Sequence, residues 1–163
     1  MTMLAPPSIR LLVCGNADRR DDGAGLAASA ATLPTLPRAV LERIEVRRCG
    51  QLNVDDLLDL PAGMAAVVVD AAVGIEPGQV VVLDLAEVAA HADAPAPHSS
   101  HELPPSVAIS LAGTLRGSMP GGSFVGIGGG SFTFGRSLSR PVRSGLVAFR
   151  AALAAELTRL AAA

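Results

Sequence analysis

Apolar residues occur along this chain in short uninterrupted runs that end at glycine, asparagine or aspartate. The first run, Leu11 to Cys14, ends at Gly15 and Asn16, and its strand is predicted to begin near Ile9. Such a run is typical of a strand buried on both faces of a parallel sheet, whereas a surface strand alternates apolar and polar residues. Alternation predicts a second strand at residues 40–48, and further apolar runs predict strands at residues 65–69, 79–83 and 124–127. The third predicted strand ends at Asp70.

Segments with the apolar spacing of helices lie between these runs. Helices are predicted at residues 23–31, at 53–60 with Asn53 as N-cap, and at 103–116 with Pro104 and Pro105 in the first turn. The C-terminal helix has the clearest pattern and follows Ser139, a suitable N-cap. Its apolar residues recur every three or four positions: Val142, Leu146, Phe149, Leu153, Leu157 and Leu160. Strands that alternate with helices predict an α/β three-layer sandwich, in which helices flank both faces of a mostly parallel, twisted sheet.

The composition of the chain argues against several classes of function. The 163 residues include 13 basic and 15 acidic side chains, and 17% are charged, which argues against nucleic acid as the main partner. All basic residues are arginine, so mechanisms that need lysine are excluded. No apolar run is long enough to cross a membrane, and no signal peptide is recognisable. We expect one domain over residues 1–163, in the cytoplasm, as a monomer.

The chain has two cysteines, Cys14 and Cys49, each at the end of a predicted strand. They have neither CxxC spacing nor a second pair of cysteines, so no metal framework or disulfide scaffold is predicted. Both are interpreted as small core residues.

Three candidate reactive segments follow strands or precede a helix. Asp21 and Asp22 lie in the loop after the first strand, Asp70 ends the third, and His101 precedes the helix at 103–116. Ligands of open parallel sheets bind beyond the carboxyl ends of the strands, where these side chains could converge. Asp22, Asp70 and His101 would supply two oxygen donors and one nitrogen, which suits Ni²⁺ or Zn²⁺. The alternatives are that the aspartates cap a helix or a loop and that His101 is a solvated residue.

Other candidates are weaker. The glycine run at residues 126–130 lacks the strand–glycine–helix order of a phosphate-binding loop and is predicted to be a flexible loop. His91 and His98 lie in a polar stretch. No Asp or Glu occurs from Leu103 to Ala155, so a catalytic carboxylate must come from the first 102 residues or from Glu156.

Taken together, these motifs resemble the hydrogenase maturation endopeptidases, which trim the C-terminal extension of [NiFe] hydrogenase large-subunit precursors. The main element is Gly15–Asn16 followed by Asp-Asp-Gly-Ala-Gly at residues 21–25, similar to the G-N-x-L-x-x-D-[DE]-G-x-G signature of that family. The supporting elements occur in the same order: Gly50 before a short leucine-rich helix, Val-Val-Asp-Ala at 68–71, Ser-His-Glu-Leu at 100–103, and Leu-Ser at 138–139.

The resemblance implies that Asp22, Asp70 and His101 contact metal and that Asp22 and Asp70 serve catalysis. It implies substrate contacts at Asn16, Asp21 and Gly50. No tightly bound cofactor is expected, because the nickel would be presented by the precursor, and cleavage would follow nickel insertion. The alternative function is a non-catalytic chaperone of the same fold that binds nickel or the precursor.

Two departures from the family pattern stand out. Asp18 occupies a position where the family often has leucine, and residues 128–135 replace a stretch that commonly carries proline and an acidic residue. Two other classes fit less well. A signalling receiver domain also has an acidic pair and an aspartate at strand ends, but it needs a lysine; a nucleotide-binding module needs a glycine loop in another context.

Overall fold

The computed structural model describes residues 5–92 and 103–163 and contains a five-stranded sheet. The strands lie in the order β2-β1-β3-β5-β4, and all neighbours are parallel except β4, which runs antiparallel to β5. The sheet is therefore mostly parallel, as the sequence predicts. The strands are β1 Ile9–Cys14, β2 Ile44–Cys49, β3 Ala65–Ala72, β4 Val80–Asp84 and β5 Gly122–Gly128.

Helices cover both faces of this sheet. Leu11 and Val13 of β1 belong to the core beneath α1 and α6, whereas Leu12 and Cys14 belong to the core beneath α3, α4 and α5. The alternation follows from the strand geometry, since successive side chains point to opposite faces. The predicted three-layer α/β sandwich is confirmed. The helices are α1 Ala24–Thr32, α2 Arg38–Leu41, α3 Val54–Leu58, α4 Leu85–Ala89, α5 Pro105–Arg116 and α6 Arg140–Ala161.

The C-terminal helix α6 follows its predicted pattern. Four positions of its apolar stripe are buried, and two, Leu146 and Leu160, are half-buried at the edge of the core. The buried positions are Val142, Phe149, Leu153 and Leu157. The helix has 22 residues and a polar outer face. Within the described ranges, no helix combines the length and apolar character needed to cross a lipid bilayer.

Several predicted boundaries were wrong. Residues 38–41 form the short helix α2, so β2 begins at Ile44 rather than at Val40. The strand β3 continues past Asp70 to Ala72, because Asp70, Ala71 and Ala72 still pair with β5. Gly126 and Gly128 are buried residues of β5, so this part of the predicted flexible glycine loop is regular strand. The helix α4 was not predicted.

Candidate functional site

Asp22 and Asp70 both lie next to Gly15, at the carboxyl edge of the sheet. The strands β1 and β3 are parallel neighbours, so the residues that follow β1 lie next to the end of β3. Gly15 has a φ of +124°, and a Cβ built there would lie 1.9 Å from the carbonyl oxygen of Asp22 and 3.9 Å from Oδ1 of Asp70. Because a side chain would be both strained and obstructed, glycine is required at this point. The backbone of Asp22 and the carboxylate of Asp70 therefore both lie next to Gly15.

The Asp22 side chain organises the loop that carries it. Asp22 lies in a 3-10 turn, Arg20–Gly23, directly before α1, and is half-buried. Its Oδ2 accepts a hydrogen bond of 2.9 Å from the backbone N–H of Asn16, while Oδ1 of Asn16 accepts one of 2.9 Å from the N–H of Asp18. We call residues 15–23 the site loop. Asn16 is exposed at its start, where the predicted substrate contact remains a prediction.

Asp70 is held in the last part of β3. Its Oδ1 accepts a hydrogen bond of 2.8 Å from the N–H of Ala71, and the residue is half-buried. Its carboxylate also lies close enough to Cys14, at the end of the neighbouring strand β1, to affect the thiol of that residue. The contact with Cys49, burial and the nearby Asp70 carboxylate together raise the pKa of the Cys14 thiol. Asp70, Cys14 and Gly15 therefore share one small region at the edge of the sheet.

The helix α1 packs very closely on these strand ends. A Cβ built at Gly25 would lie 3.0 Å from the carbonyl oxygen of Cys14 and 3.1 Å from that of Val69. A glycine in the first turn of α1 thus allows the helix to approach the backbones of β1 and β3. This contact gives a physical reason for the second glycine of the Gly23-Ala24-Gly25 motif.

Asp21 differs sharply from its neighbour Asp22. It has no exposed surface, and its carboxylate accepts four hydrogen bonds of 2.7–2.9 Å: from the N–H groups of Gly130, Ser131 and Ser139, and from the Ser139 hydroxyl. Burial alone would raise the pKa of Asp21, but these hydrogen bonds outweigh it and hold the pKa below its usual range. The predicted substrate contact does not suit so enclosed a carboxylate. Asp21 instead fixes the site loop to residues 130–139.

The two departures from the family pattern contact each other. Oδ1 of Asp18 accepts a hydrogen bond of 2.8 Å from Nε of Arg136, and the backbone oxygen of Asp18 accepts one of 2.9 Å from the N–H of Gly135. The N–H of Arg20 donates to the carbonyl of Gly135 at 2.7 Å. Hydrogen bonds thus join the loop that contains Asp18 to the segment at residues 128–135. At position 18 this chain therefore has an ion pair that joins the two loops.

The structure locates some of the remaining predicted site residues and does not describe others. Gly50 is exposed, and its carbonyl oxygen accepts a hydrogen bond of 3.0 Å from the N–H of Gly15, which places it beside the carboxylates. His101 and His98 lie outside the described residues, and His91 is exposed. In residues 5–92 and 103–163, no group of three or more His, Cys, Asp or Glu side chains is arranged to hold a metal ion. That part of the chain supplies two of the three predicted metal ligands.

Glu156, which the sequence allowed as a catalytic carboxylate, has a structural role. Glu156 lies in α6, is 8% exposed and accepts hydrogen bonds from the Ser123 hydroxyl and the Arg159 guanidinium. The Arg159 contact, together with that from Ser123, holds the pKa of Glu156 below its usual range despite partial burial. Ser123 lies near the start of β5, whereas the site lies at the opposite end of the sheet. Glu156 is therefore not part of the candidate site.

A groove of about 430 Å³ adjoins the site loop. It is lined by small and apolar residues of α1, by Leu138 and by three arginines, Arg20, Arg48 and Arg136. Nε of Arg20 donates a hydrogen bond to the carbonyl oxygen of Ser137, and Nε of Arg136 donates one to Asp18. Arginine side chains bind carboxylate and carbonyl oxygens well because the guanidinium presents several donors in one plane. Sequence reasoning missed this groove, because its arginines lie far apart along the chain.

The fold is shared with solved hydrogenase maturation proteases. No family model matches the chain, and no curated protein sequence matches it significantly. Among solved structures, the hydrogenase maturating endopeptidase HybD from E. coli superposes with a TM-score of 0.72 at 23% identity, over 93% of this chain and 92% of that one.

Two archaeal structures give the same result. The [NiFe] hydrogenase maturation protease HybD from Thermococcus kodakarensis has a TM-score of 0.65 at 22% identity, over 89% of this chain and 95% of that one. The maturation protease HycI from Thermococcus kodakarensis KOD1 has a TM-score of 0.63 at 22% identity, over 92% of each chain. Nearly the full length of each of these proteins is matched. This chain therefore has the fold of the hydrogenase maturation endopeptidases.

Proposed function

We propose that this protein is an endopeptidase that removes the C-terminal extension from the large-subunit precursor of a [NiFe] hydrogenase after nickel has been inserted. The observation that carries the proposal is the position of Asp22 and Asp70, which both lie next to Gly15 in a fold shared with solved maturation proteases. Both carboxylates are half-buried at the edge of the sheet where ligands of open α/β folds bind. We expect the protein to act as a cytoplasmic monomer.

The oxygen and nitrogen ligands that these residues offer suit a metal ion that arrives with the substrate. Asp22 and Asp70 offer carboxylate oxygens, and His101 would add an imidazole nitrogen, a mixture that nickel and zinc accept. Three protein ligands leave coordination positions open, so a nickel ion still held by the precursor could be contacted without being removed. In this proposal nickel is part of the substrate, and the protease needs no resident cofactor.

The same carboxylates can promote hydrolysis. One of them, Asp22 or Asp70, orients a water molecule and accepts a proton from it as the water oxygen attacks the peptide carbonyl carbon. The carbon–nitrogen bond then breaks, and the proton passes to the departing amine. The metal in the substrate supplies Lewis-acid polarisation of the carbonyl. Partial burial strengthens these interactions, because they act in a medium less polar than water.

The groove next to the site loop supports a peptide substrate. Its apolar lining can accept apolar side chains of an extended segment, and the arginines that line it can bind backbone carbonyl or carboxylate oxygens. Ala17, Arg20 and Gly23 line the groove and belong to the loop that carries Asp22. A segment bound there would therefore contact the loop that carries Asp22.

Substitution of the carboxylates tests the assignment. Asp22→Asn and Asp70→Asn are expected to slow cleavage of the nickel-loaded precursor by about 100-fold or more, as the loss of a group that moves a proton does. Asp55→Asn is the matched control, because Asp55 is an exposed aspartate of α3 on the other face of the sheet. Cleavage rates are followed by intact mass, and circular dichroism checks that each variant folds.

Two results would contradict the proposal. If Asp22→Asn and Asp70→Asn both cleave at the wild-type rate, the carboxylates do not form the active site. If the wild-type protein forms a stable complex with the precursor but never shortens it, the non-catalytic chaperone is the correct function.

A further inference from the structure

Cys14 and Cys49 are in direct contact. The two cysteines are register partners at the ends of the parallel neighbours β1 and β2, and their Sγ atoms lie 3.0 Å apart. Both are free thiols in this structure. The sequence-based interpretation as core residues holds for Cys14, which has no exposed surface, but it gave no reason to expect the two to touch. Their position directly before Gly15 and Gly50 is not explained by the reaction proposed above.

We propose that Cys14 and Cys49 are a modification site that forms a reversible intramolecular disulfide beside the candidate active site. Disulfides need Cα atoms about 4.4–6.8 Å apart. Neighbouring strands lie about 4.8 Å apart, so register partners meet this requirement without movement of the backbone. The sulfur atoms need to approach by only about 1 Å to reach the bonded distance of about 2.05 Å.

The oxidant is a low-molecular-weight disulfide, such as oxidised glutathione. Cys49 is half-buried and Cys14 is fully buried, so Cys49 is the thiol that a small molecule can reach. The Cys49 thiolate attacks one sulfur of the small disulfide, the bond between its sulfurs breaks, and one small thiolate leaves. Cys14 then attacks Sγ of Cys49 and releases the second. Two electrons pass from the protein to the small disulfide, and the two thiol protons go to the released thiolates.

The disulfide would act on the loops that form the site. It would join residues 35 positions apart and tie β2 to β1 at the point where the N–H of Gly15 donates to the carbonyl of Gly50. Gly15 in turn packs against Asp22 and lies near Asp70. The oxidised protein is therefore expected to hold this edge of the sheet more rigidly than the reduced protein. The inference concerns the cysteines alone and does not depend on the proposed protease function.

The chain is well suited to a test, because it contains no other cysteine. The full-length protein is equilibrated in glutathione buffers from fully reduced to fully oxidised. It is then unfolded in guanidinium chloride with excess N-ethylmaleimide, so that every remaining thiol is labelled, and the intact mass is recorded. We expect one transition from two N-ethylmaleimide adducts to none as the buffer becomes more oxidising, with the protein monomeric throughout and the change reversed by dithiothreitol. Cys49→Ser should keep one labelled thiol, Cys14→Ala should keep one labelled thiol or carry one glutathione, and neither variant can form the internal bond.

Stability gives a second measurement. Closing a connection of this length should raise the melting temperature of the oxidised wild type by about 10 °C, because the disulfide restricts the unfolded chain. Cys49→Ser should show no such rise under the same oxidation. Persistent labelling of both thiols across the buffer series, glutathione adducts without the internal bond, or disulfide-linked dimers would each overturn the proposal. This chemistry can fail while precursor cleavage succeeds, and the reverse is equally possible.

Discussion

Adjacent aspartates in the site loop have opposite roles. Asp21 is fully enclosed and accepts four hydrogen bonds from residues 130–139, whereas Asp22 is half-buried and lies beside Asp70. The sequence identified both as candidates but could not separate them, because the partners of Asp21 lie more than a hundred positions away. Only the folded chain shows which carboxylate is enclosed. The prediction that Asp22 and Asp70 lie at one edge of the sheet rests on strand geometry, because parallel neighbours bring the ends of their strands to the same edge; their roles in metal binding and catalysis remain predictions.

Asp21 should contribute to stability at neutral pH. Its folded pKa is lowered, so the ionised carboxylate stabilises the folded state above the unfolded pKa, and this contribution is lost as the pH falls through the folded value. Asp21→Asn is expected to cost about 1–3 kcal/mol at pH 7. The difference between wild type and variant should shrink below about pH 4. Urea unfolding at both pH values measures it; a constant difference would show that ionisation of Asp21 plays no part.

Gly15 and Gly50 form a matched pair for testing the geometry of the site. Gly15→Ala should destabilise the protein severely, by about 3 kcal/mol or more, because it combines a positive φ with a Cβ 1.9 Å from the oxygen of Asp22. Gly50→Ala should change the free energy of unfolding by less than about 1 kcal/mol, since nothing lies within 4 Å of the added methyl group. Thermal unfolding of the two variants measures both effects. Equal stability of the two would contradict the packing described around Gly15.

At the scale of elements, long periodic segments were predicted well and short ones were not. The apolar residues of α6 recur regularly from Val142 to Leu160, over about five turns, so its buried face was evident. The four-residue helix α2 was read as the start of β2, because the alternation of that edge strand extends by chance into the preceding helical turn. The helix α4 carried a recognisable signal that was overlooked. Asp84 and Glu87 form a capping box, in which Oε2 of Glu87 accepts a hydrogen bond of 2.7 Å from the N–H of Asp84.

The packing of α6 can be tested with two positions of the same helix. Phe149 is fully buried against the sheet, and Phe149→Ala should lower the free energy of unfolding by about 3–5 kcal/mol. Val147 lies two residues earlier and is 77% exposed, so Val147→Ala should change it by no more than about 0.5 kcal/mol. Chemical denaturation of both variants compares them. A small effect at Phe149 would mean that α6 is not held by the contacts described.

At the scale of the whole molecule, the architecture explains why distant segments form one site. The order β2-β1-β3-β5-β4 places β1 and β3 at the centre of the sheet, with β2 and β5 beside them. The loops after these strands therefore meet at one edge: Gly15 to Asp22 after β1, Gly50 after β2, and residues 129–139 after β5. The sequence predicted the layers and the strands but not their order, and so it did not reveal the contact between Cys14 and Cys49 or that between Asp18 and Arg136.

Under the proposed function, this protein cleaves a hydrogenase large-subunit precursor only after nickel insertion. The most direct measurement is the intact mass of that precursor, purified from the same organism with and without nickel, before and after incubation with this protein. We predict that the nickel-loaded precursor loses a C-terminal peptide and that the nickel-free precursor keeps its full mass. Equal cleavage of both forms would contradict the dependence on nickel, and an unchanged mass of the nickel-loaded form would contradict the proposed activity itself.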